Sequence, residues 1–271
     1  MVLLNRLSLN SAKTNYLVIR PKYSRERLLG RTIHIGNTLL ARIGDDGNTT
    51  SAKFLGIFID EHLQWKDHIA QINKKISRAL FCIKQVKHVL PQDCLRTLYF
   101  SLIYSHLSYG LLAWGNANPT FLNRTNMLQK RAIRIVSKSN YNSHTEPLFR
   151  SNSVLKLCDM HQYESLMFMY DYKAHNLPIS FDSTFPLNRD VNYARITRQS
   201  EQFYVPRCYS EYARKLPLFN LPHVWNEWTL NESADTNRTR FKRSVKNILL
   251  GRYSEHVVCD NSHCRDCNPN Q

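Results

Sequence analysis

The residues with the clearest capacity for chemistry stand near the end of the chain, in the pattern Cys259-x3-His263-Cys264-x2-Cys267. Tetrahedral Zn²⁺ takes Cys and His ligands, and C-x2-C is a common half of such a site. His263 and Cys264 are adjacent, however, and adjacent side chains rarely reach one metal together. The pattern therefore predicts either Zn²⁺ bound with the help of an outside ligand or a frayed tail of unbound thiols.

A second pair of candidate ligands, Asp45-Asp46, has the composition of a two-metal site. In such sites carboxylates hold two Mg²⁺ ions roughly 3.5–4 Å apart. The neighbouring residues Gly44, Gly47 and Asn48 are typical of turns, and the pair lacks apolar flanks that would bury a catalytic hairpin. We interpret it as an exposed turn.

Basic residues dominate the middle of the chain and favour a polyanionic partner. The 37 Lys and Arg outnumber the 21 Asp and Glu, which gives a formal net charge of +16. Between Asp67 and Glu146 Asp93 is the one acid, whereas the bases there are Lys74, Lys75, Arg78, Lys84, Lys87, Arg96, Arg124, Lys130, Arg131, Arg134 and Lys138. Most charge runs are solvated helix faces, but ordinary surfaces mix both signs. We therefore favour contact with a nucleic-acid backbone.

The elements that position these bases change character after about sixty residues. Short β-rich runs between turn residues fill residues 16–59 and predict a small antiparallel sheet or hairpin. In residues 65–87 apolar side chains recur at steps of three and four, which predicts a helix whose other face carries Lys74, Lys75 and Arg78.

Further helices are predicted at residues 91–110, 118–136, 159–175 and 239–250, with an irregular, Pro-punctuated stretch at 177–227. The helix at 118–136 presents Lys130, Arg131 and Arg134 outward. The predicted fold class is α+β. We divide the chain into an N-terminal β region (1–62), a helical domain (63–176), an irregular region with a short basic helix (177–258) and the Cys/His tail (259–271).

No membrane segment or signal peptide is expected. The uncharged stretch 99–114 has 16 residues, fewer than the roughly 20 that a spanning helix needs, so it is expected to be a core helix. The seven cysteines are an odd number and suggest a reducing compartment, nuclear or cytoplasmic. Cys82, Cys94, Cys158 and Cys208 are expected to be packing residues.

Several motifs occur in the order found in one family. Asn5-Arg-Leu-Ser-Leu-Asn10 with Lys13-Thr14 resembles the N-x-L-x-L-N-x-x-K-T segment of non-LTR (LINE-type, jockey-like) retrotransposon reverse transcriptases. Lys53-Phe-Leu-Gly-Ile57 resembles the K-x-L-G hairpin that grips the primer in those enzymes. The further matches are Tyr109-Gly110, Trp114-Gly115, Leu128-Gln129-Lys130, Ile133-Arg134, Trp225-Asn226 and the segment 241–253.

The resemblance implies the end of a palm, a primer-grip-like hairpin, a helical thumb and a post-thumb tail of an RNA-directed DNA polymerase. In the family the Mg²⁺-binding aspartates precede the motif that begins here at Asn5, so we expect this chain to lack them and to be inactive alone. Lys13 would lie behind the absent metal site and be vestigial. The implied partner is RNA or an RNA–DNA primer–template, held by Lys74, Lys75, Arg78, Lys130, Arg131 and Arg134.

Two alternatives remain open. The chain could be a truncated gene prediction of an intact reverse transcriptase, or a decayed element with no activity. The sequence makes no prediction about the oligomeric state.

Overall fold

The computed structural model describes residues 10, 14–22, 32–44, 50–191, 199–231 and 237–253. The chain divides into two compact units, residues 1–71 and residues 72–271. Short β-strands occupy the first unit and helices fill the second, so the fold class is α+β, as the sequence predicted.

The first unit contains short strand pairs. The strands are β1 (Asn15–Tyr16), β2 (His34–Ile35), β3 (Thr38–Leu39), β4 (Ala41–Arg42), β5 (Ser51–Phe54) and β6 (Ile57–Asp60). They form three separate two-stranded sheets: β1 pairs with β4 in parallel, whereas β2–β3 and β5–β6 are antiparallel. Two of these pairs are antiparallel hairpins, as the sequence predicted, whereas the parallel pairing of β1 with β4 was not expected. The first four strands have two residues each, and the turns at Gly36, between β2 and β3, and at Gly44, after β4, both have positive φ.

The β5–β6 hairpin leads directly into the first helix. Its two turn residues, Leu55 and Gly56, both have positive φ, as a type I′ turn requires. Asp60, the last strand residue, accepts hydrogen bonds from the backbone N–H groups of Gln64 (2.9 Å) and Trp65 (2.7 Å). This carboxylate holds the connection between strand and helix, where Trp65 itself has a positive φ of 63°.

The helices are α1 (Lys66–Val86), α2 (Gln92–Tyr99), α3 (Ser105–Ser108), α4 (Leu111–Trp114), α5 (Pro119–Val136), α6 (Thr145–Ser151), α7 (Leu157–Lys173), α8 (Asn188–Val191), α9 (Glu211–Lys215), α10 (Pro217–Asn231) and α11 (Arg238–Gly251). A π turn (Phe100–Tyr104) joins α2 to α3, and a 3₁₀ turn (Ile179–Phe181) follows α7. Of the described residues, no helix combines the length and the apolar character needed to cross a bilayer.

The helices predicted at 65–87, 118–136, 159–175 and 239–250 are confirmed as α1, α5, α7 and α11. Local capping explains why two of them begin where they do. The side chain of Asn118 accepts a hydrogen bond from Thr120 N, and Asn237 does the same for Thr239 N. Each side-chain oxygen satisfies an N–H group that has no partner within the helix.

The prediction of an irregular stretch at 177–227 was wrong in part, because α10 continues through Pro222. A proline inside a helix costs roughly 3 kcal/mol. Leu221, Trp225 and Trp228 are nevertheless at most 4 % exposed, and α10 packs against α7. Burying two tryptophan rings stabilises the helix by more than the proline costs.

The segment from α2 to α4 forms part of the core of the second unit. Tyr99, Ile103, Leu107, Leu111 and Trp114 are each at most 1 % exposed, which confirms that residues 99–114 are a core segment. Tyr99, Ile103 and Leu107 recur at steps of four and stay on one face because the π turn between α2 and α3, with its i→i+5 hydrogen bonds, is wider than an α-helical turn. The helix predicted at 91–110 is therefore α2, the π turn and α3 in succession.

Gly115 lies where α4 meets α7. A Cβ atom built on Gly115 would lie 2.5 Å from Cδ2 of His161 and 2.7 Å from the carbonyl oxygen of Leu111. Both distances are shorter than a carbon atom tolerates, so only glycine fits between these two helices without a shift in packing.

We expect Gly115→Ala to lower the free energy of unfolding by about 2 kcal/mol, because the added methyl group overpacks this contact. Gly251→Ala is the matched control, since nothing lies within 4 Å of a Cβ atom there. It should leave stability unchanged or raise it slightly. Urea unfolding measures both, and equal stability of the two variants would contradict the close approach.

Burial also controls the ionisation of His161. Its side chain is 9 % exposed, and burial lowers its pKa from 6.5 to about 4. Because the unfolded chain binds this proton more readily than the folded chain, stability is fully present above the unfolded pKa and falls as pH drops from about 6.5 towards 4.

Between pH 7.5 and pH 5 this histidine should account for about 2 kcal/mol of lost stability. His161→Gln should remove that part of the pH dependence, measured by urea unfolding at the two pH values. The exposed His88→Gln is the control and should retain the wild-type dependence. A His161→Gln profile identical to the wild type would refute the assignment.

Candidate nucleic-acid interface

The predicted basic residues lie on α1 and α5. Lys74, Lys75 and Arg78 are exposed on α1, and Lys130 and Arg131 are exposed on α5. None of these five side chains forms a salt bridge with another described residue. Their charges are therefore available to a ligand.

The three α1 residues do not all face the same way. Lys74 and Arg78 are four positions apart and share one side of the helix, whereas Lys75 lies about 100° further round. The pKa of His106 in α3 is lowered, first by burial and then by the nearby charge of Lys75. Lys75 therefore lies on the α3 side of α1.

A groove of about 620 Å³ separates α1 from α5. Among the residues that the structure describes, its lining combines cations, aromatic rings, apolar side chains and two serines and includes no acid. The lining residues are Ser77, Leu80, Phe81, Lys84, Lys87, Leu128, Arg131, Arg134, Ile135, Ser139 and Tyr141. Arg131 and Arg134 were predicted as site residues, whereas Lys84 and Lys87 were not. Lys84 could have been identified from the sequence because it lies one turn after Leu80 on α1. Lys87 lies just beyond the end of that helix.

A buried hydrogen bond joins α1 to α5 about one turn before the groove. Thr125 Oγ1 donates to Asn73 Oδ1 at 2.8 Å, and both side chains are at most 6 % exposed. Residues further along both helices line the groove, and its bases are Lys84, Lys87, Arg131 and Arg134. The predicted residues Lys74, Lys75, Arg78 and Lys130 do not line it.

The segment after α5 closes back onto the helix and brings Tyr141 to the groove. Arg134 Nε donates to the carbonyl oxygen of Ser143 at 2.8 Å. The guanidinium of Arg131 lies over the ring of Tyr141, 5.8 Å from its centroid. Arg134 is half-buried, so it positions this segment in addition to contributing its charge.

A second basic block, on α11, consists of Arg238, Arg240, Lys242, Arg243 and Lys246, and part of it is tied to the protein itself. Arg238 makes two hydrogen bonds with the carboxylate of Asp171, at 2.7 and 2.8 Å. Burial, and then the charges of Arg96 and Lys242, lower the pKa of Lys246. These contacts commit part of the block to packing against α7, so the α1–α5 face is the better candidate interface.

No group of three or more His, Cys, Asp or Glu side chains that could hold a metal ion exists among the described residues. Several predicted sites lie outside those residues: Lys13, Asp45, Asp46, Cys259, His263, Cys264 and Cys267. We assign no metal chemistry to the described part of the chain.

The expectation that the remaining cysteines are packing residues was wrong for three of them. Cys82, Cys94 and Cys158 are exposed, and Cys208 is half-buried. Each of the three lies on a helix beside apolar neighbours in sequence but on the side turned away from the core, which composition alone does not reveal.

Arg134→Gln should loosen the segment that carries Tyr141, because an amide side chain is too short to reach the Ser143 carbonyl. We expect faster amide hydrogen exchange over residues 139–143 and unchanged exchange in α1. Lys130→Gln, on the exposed side of the same helix, is the control. If both variants exchange like the wild type, Arg134 does not position this segment.

Comparison with known proteins agrees with the motifs. The chain is 29% identical over 127 residues to the RNA-directed DNA polymerase from mobile element jockey of Drosophila melanogaster. The alignment covers 45% of this chain and 14% of that protein. No family model matches the chain, and no solved structure matches it. The chain therefore has a relative among retrotransposon reverse transcriptases, as its motifs predicted.

Proposed function

We propose that this chain is the thumb-containing, primer–template-binding part of a protein related to retrotransposon reverse transcriptases. Its ligand is RNA or an RNA–DNA duplex, held along the phosphate backbone by α1 and α5. The observation that carries this proposal is a set of exposed cations on both helices, Lys74, Lys75 and Arg78 on α1 and Lys130 and Arg131 on α5, none of which forms a salt bridge with another described residue.

Phosphate contacts of this kind position a nucleic acid without reading its sequence. Lys74 and Arg78 present a stripe of charge along α1, and Lys130 and Arg131 present further charge on α5. A duplex backbone offers regularly spaced phosphates to such stripes, and binding releases the counterions that surround them. A polymerase needs such a surface to bind templates of any base sequence.

The described residues supply binding rather than chemistry in this proposal. Nucleotide transfer requires carboxylates that hold two metal ions, and no candidate metal-binding group exists among the residues that the structure describes. The similarity to the jockey protein spans 14% of its length. Polymerisation is accordingly an activity of the relative, and we assign to this chain the grip on the primer–template.

Reversing three charges on α1, with Lys74→Glu, Lys75→Glu and Arg78→Glu combined, should weaken binding of an RNA–DNA duplex roughly tenfold or more at low salt. Each phosphate contact contributes about 0.9 to the slope of log K against log salt, so the slope should become shallower by about 2 to 3. Fluorescence anisotropy titrations at several salt concentrations measure both quantities.

The control variant carries Lys173→Glu, Arg207→Glu and Arg214→Glu, which are exposed residues on other elements. It changes the net charge by the same amount and should retain most of the affinity. If both variants lose affinity equally, the effect is one of total charge and the α1 site is wrong. Salt-independent binding, or no binding by the folded wild-type chain, would contradict the proposed function itself.

A further inference from the structure

The α1–α5 groove has a feature that a duplex-binding surface does not use. Two aromatic rings line it and remain largely open to solvent: Phe81 is 63% exposed and Tyr141 is 72% exposed. Exposing large rings costs hydrophobic free energy, and exposed apolar groups that cluster in one place mark binding sites. Here the rings come from different elements, α1 and the segment after α5, and meet at one cleft.

The other side chains that line the groove indicate which class of ligand it binds. Lys84, Lys87 and Arg131 line the same groove, and no acid from the described part of the chain does. A basic groove with aromatic side chains is the arrangement by which proteins bind single-stranded nucleic acid, because each base has a flat face that can stack on a ring. In a duplex those faces are covered by neighbouring base pairs, so the rings would find no partner there.

Contacts with Arg131 and Arg134 hold Tyr141 in a position where a base can stack on its ring. The Arg131 guanidinium covers one face of Tyr141, and the Arg134 hydrogen bond to Ser143 holds the segment that carries it. A base on the remaining face of Tyr141 would complete a stack of guanidinium, ring and base. The groove volume of about 620 Å³ lies within the roughly 300–1,000 Å³ typical of sites for small organic ligands, so the cleft can accept nucleotide bases.

We propose that the α1–α5 groove binds unpaired nucleotides of a single strand, with bases stacked on Phe81 and Tyr141 and phosphates held by Lys84, Lys87 and Arg131. This inference rests on the proposed function and deepens it, because it names the form of nucleic acid that the groove accepts. The groove then receives single-stranded RNA or DNA, while Lys74 and Arg78 outside it contact the duplex.

The experiment compares three ligands of equal length, roughly twelve nucleotides. They are a single-stranded RNA, an abasic sugar–phosphate strand with the same backbone charge, and a blunt-ended RNA–DNA duplex. The wild-type chain should bind the RNA at least fivefold more tightly than the abasic strand, because only the RNA can stack. A 2-aminopurine base in the RNA reports stacking directly through loss of its fluorescence.

Phe81→Leu and Tyr141→Leu remove the rings and keep an apolar side chain. Each should weaken RNA binding roughly fivefold or more and leave the abasic strand and the duplex within about twofold of the wild type. Phe81→Tyr and Tyr141→Phe keep the rings and should keep the affinity. Tyr209→Leu, at a ring that is 93% exposed and outside the groove, is the matched control.

The outcomes separate this inference from the proposed function. Unchanged RNA binding by both leucine variants, or an equal loss for all three ligands, would overturn the stacking groove. If the leucine variants lose RNA affinity but charge reversal at Lys74, Lys75 and Arg78 leaves duplex affinity unchanged, the single-strand site in the groove is supported. The proposed duplex site on α1 is then wrong. Urea unfolding of each variant confirms that a loss of binding is not a loss of fold.

Discussion

The rotation of α5 about its own axis is fixed by Gln129, and the arrangement of the candidate interface depends on that rotation. Gln129 is 1 % exposed. Its Nε2 donates to Tyr99 Oη at 3.2 Å and to the carbonyl of Leu155 at 3.0 Å, and its Oε1 accepts from Leu157 N at 3.0 Å. A buried amide left without partners costs about 1–3 kcal/mol, so the helix cannot turn without losing these bonds. Since Arg131 is two residues further on, about 200° round the helix, it must face away from the core.

The cations on α1 and α5 make folding less favourable and the binding of a polyanion more favourable. Like charges that converge on one cleft repel each other, and a net charge far from zero destabilises a compact state. The Asn73–Thr125 hydrogen bond joins α1 to α5, and the buried segment from Tyr99 to Trp114 contributes apolar packing that offsets that repulsion. A polyanion in the groove would relieve it. The core thus supplies the stability that a positively charged binding face removes.

Most of the residues that carry the family resemblance and lie within the described chain are structural. Gly115 leaves room for His161, and Gln129 joins three elements. Asn226 bonds both the N–H and the carbonyl of Phe203, at 3.0 and 2.7 Å. These motif residues therefore hold the helices of this chain together. The function has to be argued from the surface that this packing presents, which is why the two exposed rings and the cations beside them carry the inference about single strands.

The sequence by itself determined the α+β class, the positions of α1, α5, α7 and α11, and the acid-poor stretch of bases. These features depend on residues within about four positions of each other, so periodicity and composition encode them. Tertiary structure decided the pairing of the short strands, the helix through Pro222, and which bases share a cleft. Lys84 and Lys87 join Arg131 whereas Lys75 lies towards α3, because contacts such as Asn73 with Thr125, 52 residues apart, set how the helices meet. A local sequence pattern cannot encode a contact between residues that far apart in the chain, so only the folded structure brings those side chains together.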